Sequence, residues 1–170
     1  MNTKRIIYIL TVLFLMVQEA SAYSWTGSGT SGSPYKISSA ADWNELADNL
    51  SSYSGKYFKL TANISVSKMI RGTFTGTFDG DGKTLTVTIA ITDANVVDVA
   101  PFQYIANGAV IKNLTVKGSV SSKTNYTAGL VGRTTAGICS IENCTVNVNL
   151  TLNGYGGGFI SHADDATTTN

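Results

Sequence analysis

The side chains able to do chemistry in this sequence are few. Beyond Tyr57 the carboxylates are Asp79, Asp81, Asp93, Asp98, Glu142, Asp164 and Asp165, with one imidazole, His162, and two thiols, Cys139 and Cys144. Cleavage of a glycosidic bond needs two carboxylates facing each other across the sugar. In a chain that repeats, such a pair would recur one period apart. The period here is roughly 29 positions, and no two of these carboxylates are separated by it. Lys112 and Glu142 do stand one period apart, but opposite charges on stacked strands read as a surface salt bridge. His162 follows the apolar Phe159-Ile160 pair. Ser161 beside it makes no triad without a placed acid, so His162 reads as a surface loop residue.

Metal and redox chemistry are poorly served. One histidine and two cysteines cannot supply a His₃ or Cys₄ zinc site. Asp79-Gly80-Asp81-Gly82 starts like a calcium loop, but Lys83 stands at the next odd position and Ala90 where the closing glutamate belongs. It reads as a turn, and neither a metal nor a cofactor is expected. Cys139 and Cys144 are open to two readings. They form a disulfide across a corner, or Cys144 is an inert thiol standing where Leu114 stands one period earlier. Tyr126 and Tyr155 share a repeat position. Aligned exposed aromatics stack on sugar rings and equally brace a solenoid corner; the bracing role weighs more.

Elements that position these groups emerge from composition and pattern. Of 170 residues, 43% are hydrophobic and 14% charged, with formal net charge +1. That is enough apolar material for a core and gives no basic surplus for nucleic acid. Thr, Ser, Gly and Asn make up about two fifths of the chain, a bias toward strands and turns. Lys4 and Arg5, the apolar run from Ile6 to Val17 and Ala20-Ser21-Ala22 describe an export signal over residues 1–22. From Tyr23 onward the chain carries ten basic and ten acidic residues.

Residues 23–56 read as a leading loop and one capping helix. Ser39 with Asp42 forms a short capping box, and Trp43, Leu46, Ala47 and Leu50 recur at helical spacing. From Tyr57 the chain is short alternating runs that match themselves. Ile111 to Val116 matches Ile141 to Val146, and Lys83 to Val87 is aligned with Lys112 to Val116. Tyr126 to Val131 matches Tyr155 to Ile160, and Ala100-Pro101-Phe102 precedes Gly129-Leu130-Val131 in that register. Leu85, Leu114 and Cys144 are therefore expected in one column. Asn113 and Asn143 sit where the inward alternation slips by one, and a left-handed bend there restores it while letting the two amides stack. Such units are coils of a β-solenoid.

On Gly129-Leu130-Val131-Gly132, followed by Ile141-Glu142-Asn143-Cys144, the chain resembles the bacterial GLUG-repeat proteins. Weaker copies are Ala100 to Gln103 and Gly158 to Ser161, and Ser33 to Ile37, Tyr57 to Leu60 and Phe74 to Leu85 resemble the entry region before such arrays. The resemblance implies an all-β, right-handed parallel β-helix of the pectate-lyase-like kind, with three to four coils and an N-terminal capping helix, on exported or surface proteins. It supplies no catalytic residues. Pro101 departs from the pattern, because it lacks the N–H of a central strand, so that coil should bend or start late.

The resulting expectation is a non-catalytic secreted or cell-surface module, adhesive, glycan-binding or a spacer, on residues 57–170. The alternative is a fragment of a carbohydrate-active enzyme, a polysaccharide lyase or glycoside hydrolase. Expected partners are a glycan or a host or cell-surface component, with no nucleic acid and no membrane after signal cleavage. The step that leads from Val131 to Ile141 leads from Ile160 to Asn170. The array should therefore be cut short where another strand would begin, with an end prone to self-association.

Overall fold

The computed structural model describes residues 23–164 and the backbone of Thr168–Thr169. The export signal over residues 1–22, and Asp165, lie outside the described residues. In chain order come β1 (Tyr35–Ile37), helix α1 (Ala40–Asp48), a 3₁₀ turn (Leu50–Tyr53), β2 (Tyr57–Leu60), β3 (Ile64–Val66) and β4 (Ile70–Phe74). Next are β5 (Thr77–Asp79), β6 (Thr84–Ile91), β7 (Phe102–Ala106), β8 (Val110–Lys112), β9 (Thr115–Ser122), β10 (Tyr126–Ala128) and β11 (Val131–Ala136). The last are β12 (Cys139–Glu142), β13 (Thr145–Thr151), β14 (Tyr155–Gly157), β15 (Ile160–Ala163) and β16 (Thr168–Thr169).

These strands wind into a parallel β-solenoid. One sheet has the order β1-β2-β5-β8-β12-β16, a second β3-β6-β9-β13, a third β4-β7-β11-β15, and β10 pairs β14 at a corner. Each strand triplet presents alternate side chains inward, so residues in register form columns through the core. Ile64, Leu85, Val116 and Val146 make one; Ile70, Phe102, Val131 and Ile160 another; Phe58, Phe78, Ile111 and Ile141 a third.

Helix α1 begins where the capping box placed it. The Ser39 hydroxyl accepts from Asp42 N–H at 3.2 Å, and the Asp42 carboxylate accepts from Ser39 N–H at 2.9 Å. Trp43, Leu46 and Ala47 are buried, while Leu50 falls in the 3₁₀ turn instead of the helix. The helix touches β1, β3 and β4, the strands at the N-terminal edge. It thus covers the open first coil, with the Trp43 ring 5.9 Å from Phe78 and 5.6 Å from Phe102. Trp43 Nε1 donates to the Lys68 carbonyl at 2.7 Å, which satisfies its buried polar edge.

Leu85 does not join the column of Leu114 and Cys144; it pairs with Val116, two places beyond Leu114. The cause is the corner before it. Between β5 and β6 the chain runs through Gly80-Asp81-Gly82-Lys83, whereas β8 and β9 are joined by Asn113-Leu114 alone. Two extra residues shift the register by two, which preserves inward and outward parity, so the sequence pattern cannot detect the shift. Pro101 does delay its strand: β7 starts at Phe102, and its register with β4 slips between Ile70 and Thr73. At the C-terminal end β16 already pairs with Cys139 and Ser140. The next strand therefore resumes at Thr168, slightly ahead of Asn170.

Candidate functional site

Two outer faces gather polar side chains. The first lies where β10 and β14 meet the third sheet. Tyr126 and Tyr155 are partners in register, and their rings stack at 5.6 Å with 20° between planes. Tyr155 is 68% exposed, and its outer ring face is free of the Tyr126 stack. The Tyr126 ring lies 5.0 Å from the imidazole of His162.

His162 belongs to strand β15 and is half-buried, not in a surface loop. Parallel pairing puts it in register with Arg133 and, one strand further, Tyr104. Its Nδ1 lies 3.3 Å from Arg133 Nη2, and its Nε2 3.1 Å from Asp164 Oδ1. Since guanidinium only donates, Nδ1 is the acceptor in the contact with Arg133, and Nε2 faces the Asp164 carboxylate. Arg133 Nε is 3.2 Å from Asp164 Oδ2, close but not aligned as a hydrogen bond. Burial, with Asp98 alongside, raises the Tyr104 phenol above its ordinary range. Tyr126, Tyr155, Ser161, His162 and Ala163 border a shallow recess of about 330 Å³. An aromatic surface beside a donor and an acceptor suits a polyhydroxylated ring.

The glycines of the tetrapeptide shape this corner. A Cβ on Gly129 would sit 2.5 Å from the Gly158 carbonyl oxygen, and one on Gly132 2.2 Å from that of Asp98. Leu130 and Val131 between them are fully buried. Asn113 and Asn143 adopt φ of 53° and 50°. Asn143 Nδ2 donates to Asn113 Oδ1 at 3.4 Å, and Asn113 Nδ2 to Asp79 Oδ1 at 3.0 Å, so an amide ladder runs down the corner.

The second face is the outside of the six-stranded sheet. Lys59, Asp79, Lys112 and Glu142 are successive partners there, unevenly spaced along the chain. Lys59 Nζ is 2.9 Å from Asp81 Oδ1 and Lys112 Nζ 3.8 Å from Asp79 Oδ2. Lys112 is therefore tied to Asp79 instead of Glu142, which accepts from the Ser140 hydroxyl. A fixed period cannot reveal this column, because the coils ahead of β8 differ in length from those after it. A signal was present: Phe58-Lys59, Phe78-Asp79, Ile111-Lys112 and Ile141-Glu142 are each an inward apolar residue followed by an outward charge. The hydrogen bond from Lys59 lowers the Asp81 pKa. A general acid needs the opposite shift.

The remaining sequence candidates are dispersed. Asp93 accepts from Asn95 N–H within a turn, whereas Asp98 is buried beside Tyr104, next to the Arg133–His162 cluster. Cys139 and Cys144 are free thiols. Cys139 is buried, Cys144 lies 3.3 Å from the Glu142 carbonyl oxygen, and burial raises both thiols above their ordinary range. Among the described residues no group of three His, Cys, Asp or Glu side chains is placed to hold a metal.

Comparison with known proteins agrees with the geometry. Residues 124–151 match the family model described as the GLUG motif. That segment runs from the turn before Tyr126 through Gly129 to Gly132 and to the end of β13. The chain is 30% identical over 155 residues to Halomucin of Haloquadratum walsbyi, a match covering 80% of this chain and 2% of that protein. The chain thus spans a small fraction of the relative's length. No solved structure matches it.

Proposed function

We propose that this GLUG-motif solenoid is a non-catalytic module of an exported or cell-surface protein, and that the Tyr126–Tyr155 face contacts glycan. The observation that carries the reading is the aligned tyrosine pair, with one ring face of Tyr155 open and the His162–Arg133–Asp164 cluster beside it. A sugar ring stacked on Tyr155 would find a donor and an acceptor along its edge. The GLUG match and the resemblance to Halomucin support a surface module. The basic start and apolar run over residues 1–22 support export. Among the described residues no helix is long and apolar enough to cross a membrane.

Self-association through the last coil belongs to the same proposal. Ile141, Asn143, Cys144, Phe159 and Ile160 border a mostly apolar recess of about 630 Å³ at that end, and Phe159 is 43% exposed. The carbohydrate-active alternative draws on Asp79 and Glu142 sharing one outer sheet.

The test is a glycan array probed with the wild-type chain and with Tyr155→Ala. Binding to at least one glycan class, lost in the variant while the melting temperature holds, is the expected result. Unchanged binding in Tyr155→Ala removes the assignment. Release of reducing ends from any bound glycan would establish the enzymatic alternative in its place.

A further inference from the structure

A second groove lies on the far side of the solenoid from the tyrosine pair, and we infer that it binds an uncharged oligosaccharide stretched along the solenoid axis. It encloses about 570 Å³ between the outer face of the six-stranded sheet and the turn that carries Ser31, Gly32 and Pro34. That turn is a fixed wall. Ser28 N–H donates to the Ser33 carbonyl at 2.9 Å, Lys36 N–H to that of Thr26 at 2.9 Å, and Tyr57 N–H to that of Gly29 at 3.1 Å.

The floor alternates in charge. Lys59, Asp79, Lys112 and Glu142 line it as register partners on β2, β5, β8 and β12. Successive members are therefore separated by about 4.8 Å, the spacing of paired strands. This is close to the length of one pyranose unit in an extended chain, so each sugar would face one strand. Two lysines and two carboxylates cancel. A polyanion would meet Asp79 and Glu142 as repulsion, and a polycation would meet the lysines. A neutral polyol uses both kinds: each Nζ donates to a ring or hydroxyl oxygen, and each carboxylate accepts a hydroxyl proton.

Positioning supports the same occupant. Asp79 is fixed by Asn113 at 3.0 Å and by Asp81 N–H at 2.9 Å, and Lys59 is held by Asp81 at 2.9 Å. Side chains already ordered lose less freedom when a ligand arrives. Tyr57, 37% exposed at the N-terminal end of the groove, supplies the aromatic surface on which a terminal sugar stacks.

This groove and the tyrosine-pair face share no residues, so either can fail without the other. Calorimetric titration with cellohexaose, xylohexaose, mannohexaose and laminarihexaose, with hexagalacturonate as the charged control, tests the groove on the whole chain. At least one neutral hexamer should bind with an affinity that is little changed between low and high salt. Tyr57→Ala should weaken it about tenfold, and Lys112→Gln should weaken it as a second probe, while Lys117→Gln, exposed on β9 outside both faces, leaves it unchanged. Failure of all four neutral hexamers overturns the inference. So does salt-sensitive preference for hexagalacturonate, or binding that survives both groove variants in folded protein.

Discussion

The two ends of this solenoid use the same strand registers and differ in what covers them. At the N-terminal end the column through Ile64 and Leu85 is closed over, and Trp43, Phe58, Phe74, Phe78 and Phe102 are fully buried beneath helix α1 and the leading loop. Trp25, Tyr35 and Tyr53 complete an aromatic cluster around Phe58, with centroid distances of 5.0 to 5.9 Å. In the last described coil the equivalent inward residues Val146, Val148 and Leu150 are half-buried. A coil buries its side chains against neighbours on both sides, and among the described residues β13 has a paired strand on one side only. Among the described residues it is the helix and the leading loop that make the N-terminal core dry, over the same kind of strand pairing.

The largest effect that would sharpen this contrast is truncation at the cap. Trp43→Ala should destabilise the chain by about 3–5 kcal/mol, because it opens a cavity between Phe78 and Phe102 and leaves the Lys68 carbonyl without its donor. Leu150→Ala removes a half-exposed side chain and should cost less than half as much. Urea unfolding of both variants decides the matter, and equal losses would break the comparison.

A smaller difference is expected along the asparagine ladder. Asn113 is bonded on both sides, to Asp79 and Asn143, whereas among the described residues the Asn143 amide is bonded to Asn113 alone. Each also holds a left-handed backbone, which alanine adopts at a cost of about 1 kcal/mol. Asn113→Ala should therefore exceed Asn143→Ala by roughly one hydrogen bond, about 1 kcal/mol. Asn→Gly at both positions should recover the backbone part. If the two alanine variants melt together, the bond from Asn113 to Asp79 contributes nothing to stability.

The smallest effect is the pH dependence of the cap. Burial raises the Asp42 pKa, but hydrogen bonds from Tyr23, Ser38 and Ser39 outweigh it and leave the carboxyl below its ordinary 3.8. A depressed carboxyl stabilises the fold above its unfolded pKa, and this contribution fades as pH falls from 3.8 through the folded value. Tyr23 is pushed up to about 12 from 10.0, chiefly by its hydrogen bond to Asp42. Its contribution is complete below pH 10.0 and is lost as pH rises toward 12. The Tyr53 and Tyr104 phenols are raised too, so ultraviolet titration of tyrosinate should show late phenols whose number falls by one in Tyr23→Phe; an unchanged number would remove Tyr23 from the late set. Among the described residues of the last coil no tyrosine–carboxylate hydrogen bond of this kind stands, so the protection factors of the Val146 and Val148 amides, corrected for intrinsic exchange, should change less over the same acid range than those in helix α1.

Much of the architecture was legible from local chemistry. Ser39 and Asp42 announced the helix start, and apolar residues at every second position announced the strands. Asn113 and Asn143 marked a corner, because asparagine tolerates the left-handed backbone that a parity slip demands. The match of Tyr126 with Tyr155 and of Val131 with Ile160 was the true register, since those coils are joined by loops of equal length. These features depend on residues near one another in the chain, and a linear text records them.

Register between unequal coils is different in kind. Leu85 faces Val116 because four corner residues stand where the next coil has two, and either alignment keeps the alternation intact. Only the pairing of whole strands separates them. The same ambiguity hid the charge column from Lys59 to Glu142, whose members are unequally spaced in the chain. It also hid the approach of Arg133, His162 and Asp164, which depends on β11 and β15 lying side by side. Side chains from separate coils meet only after the loops between them have set the stacking, so the contacts that could bind a ligand were decided in three dimensions.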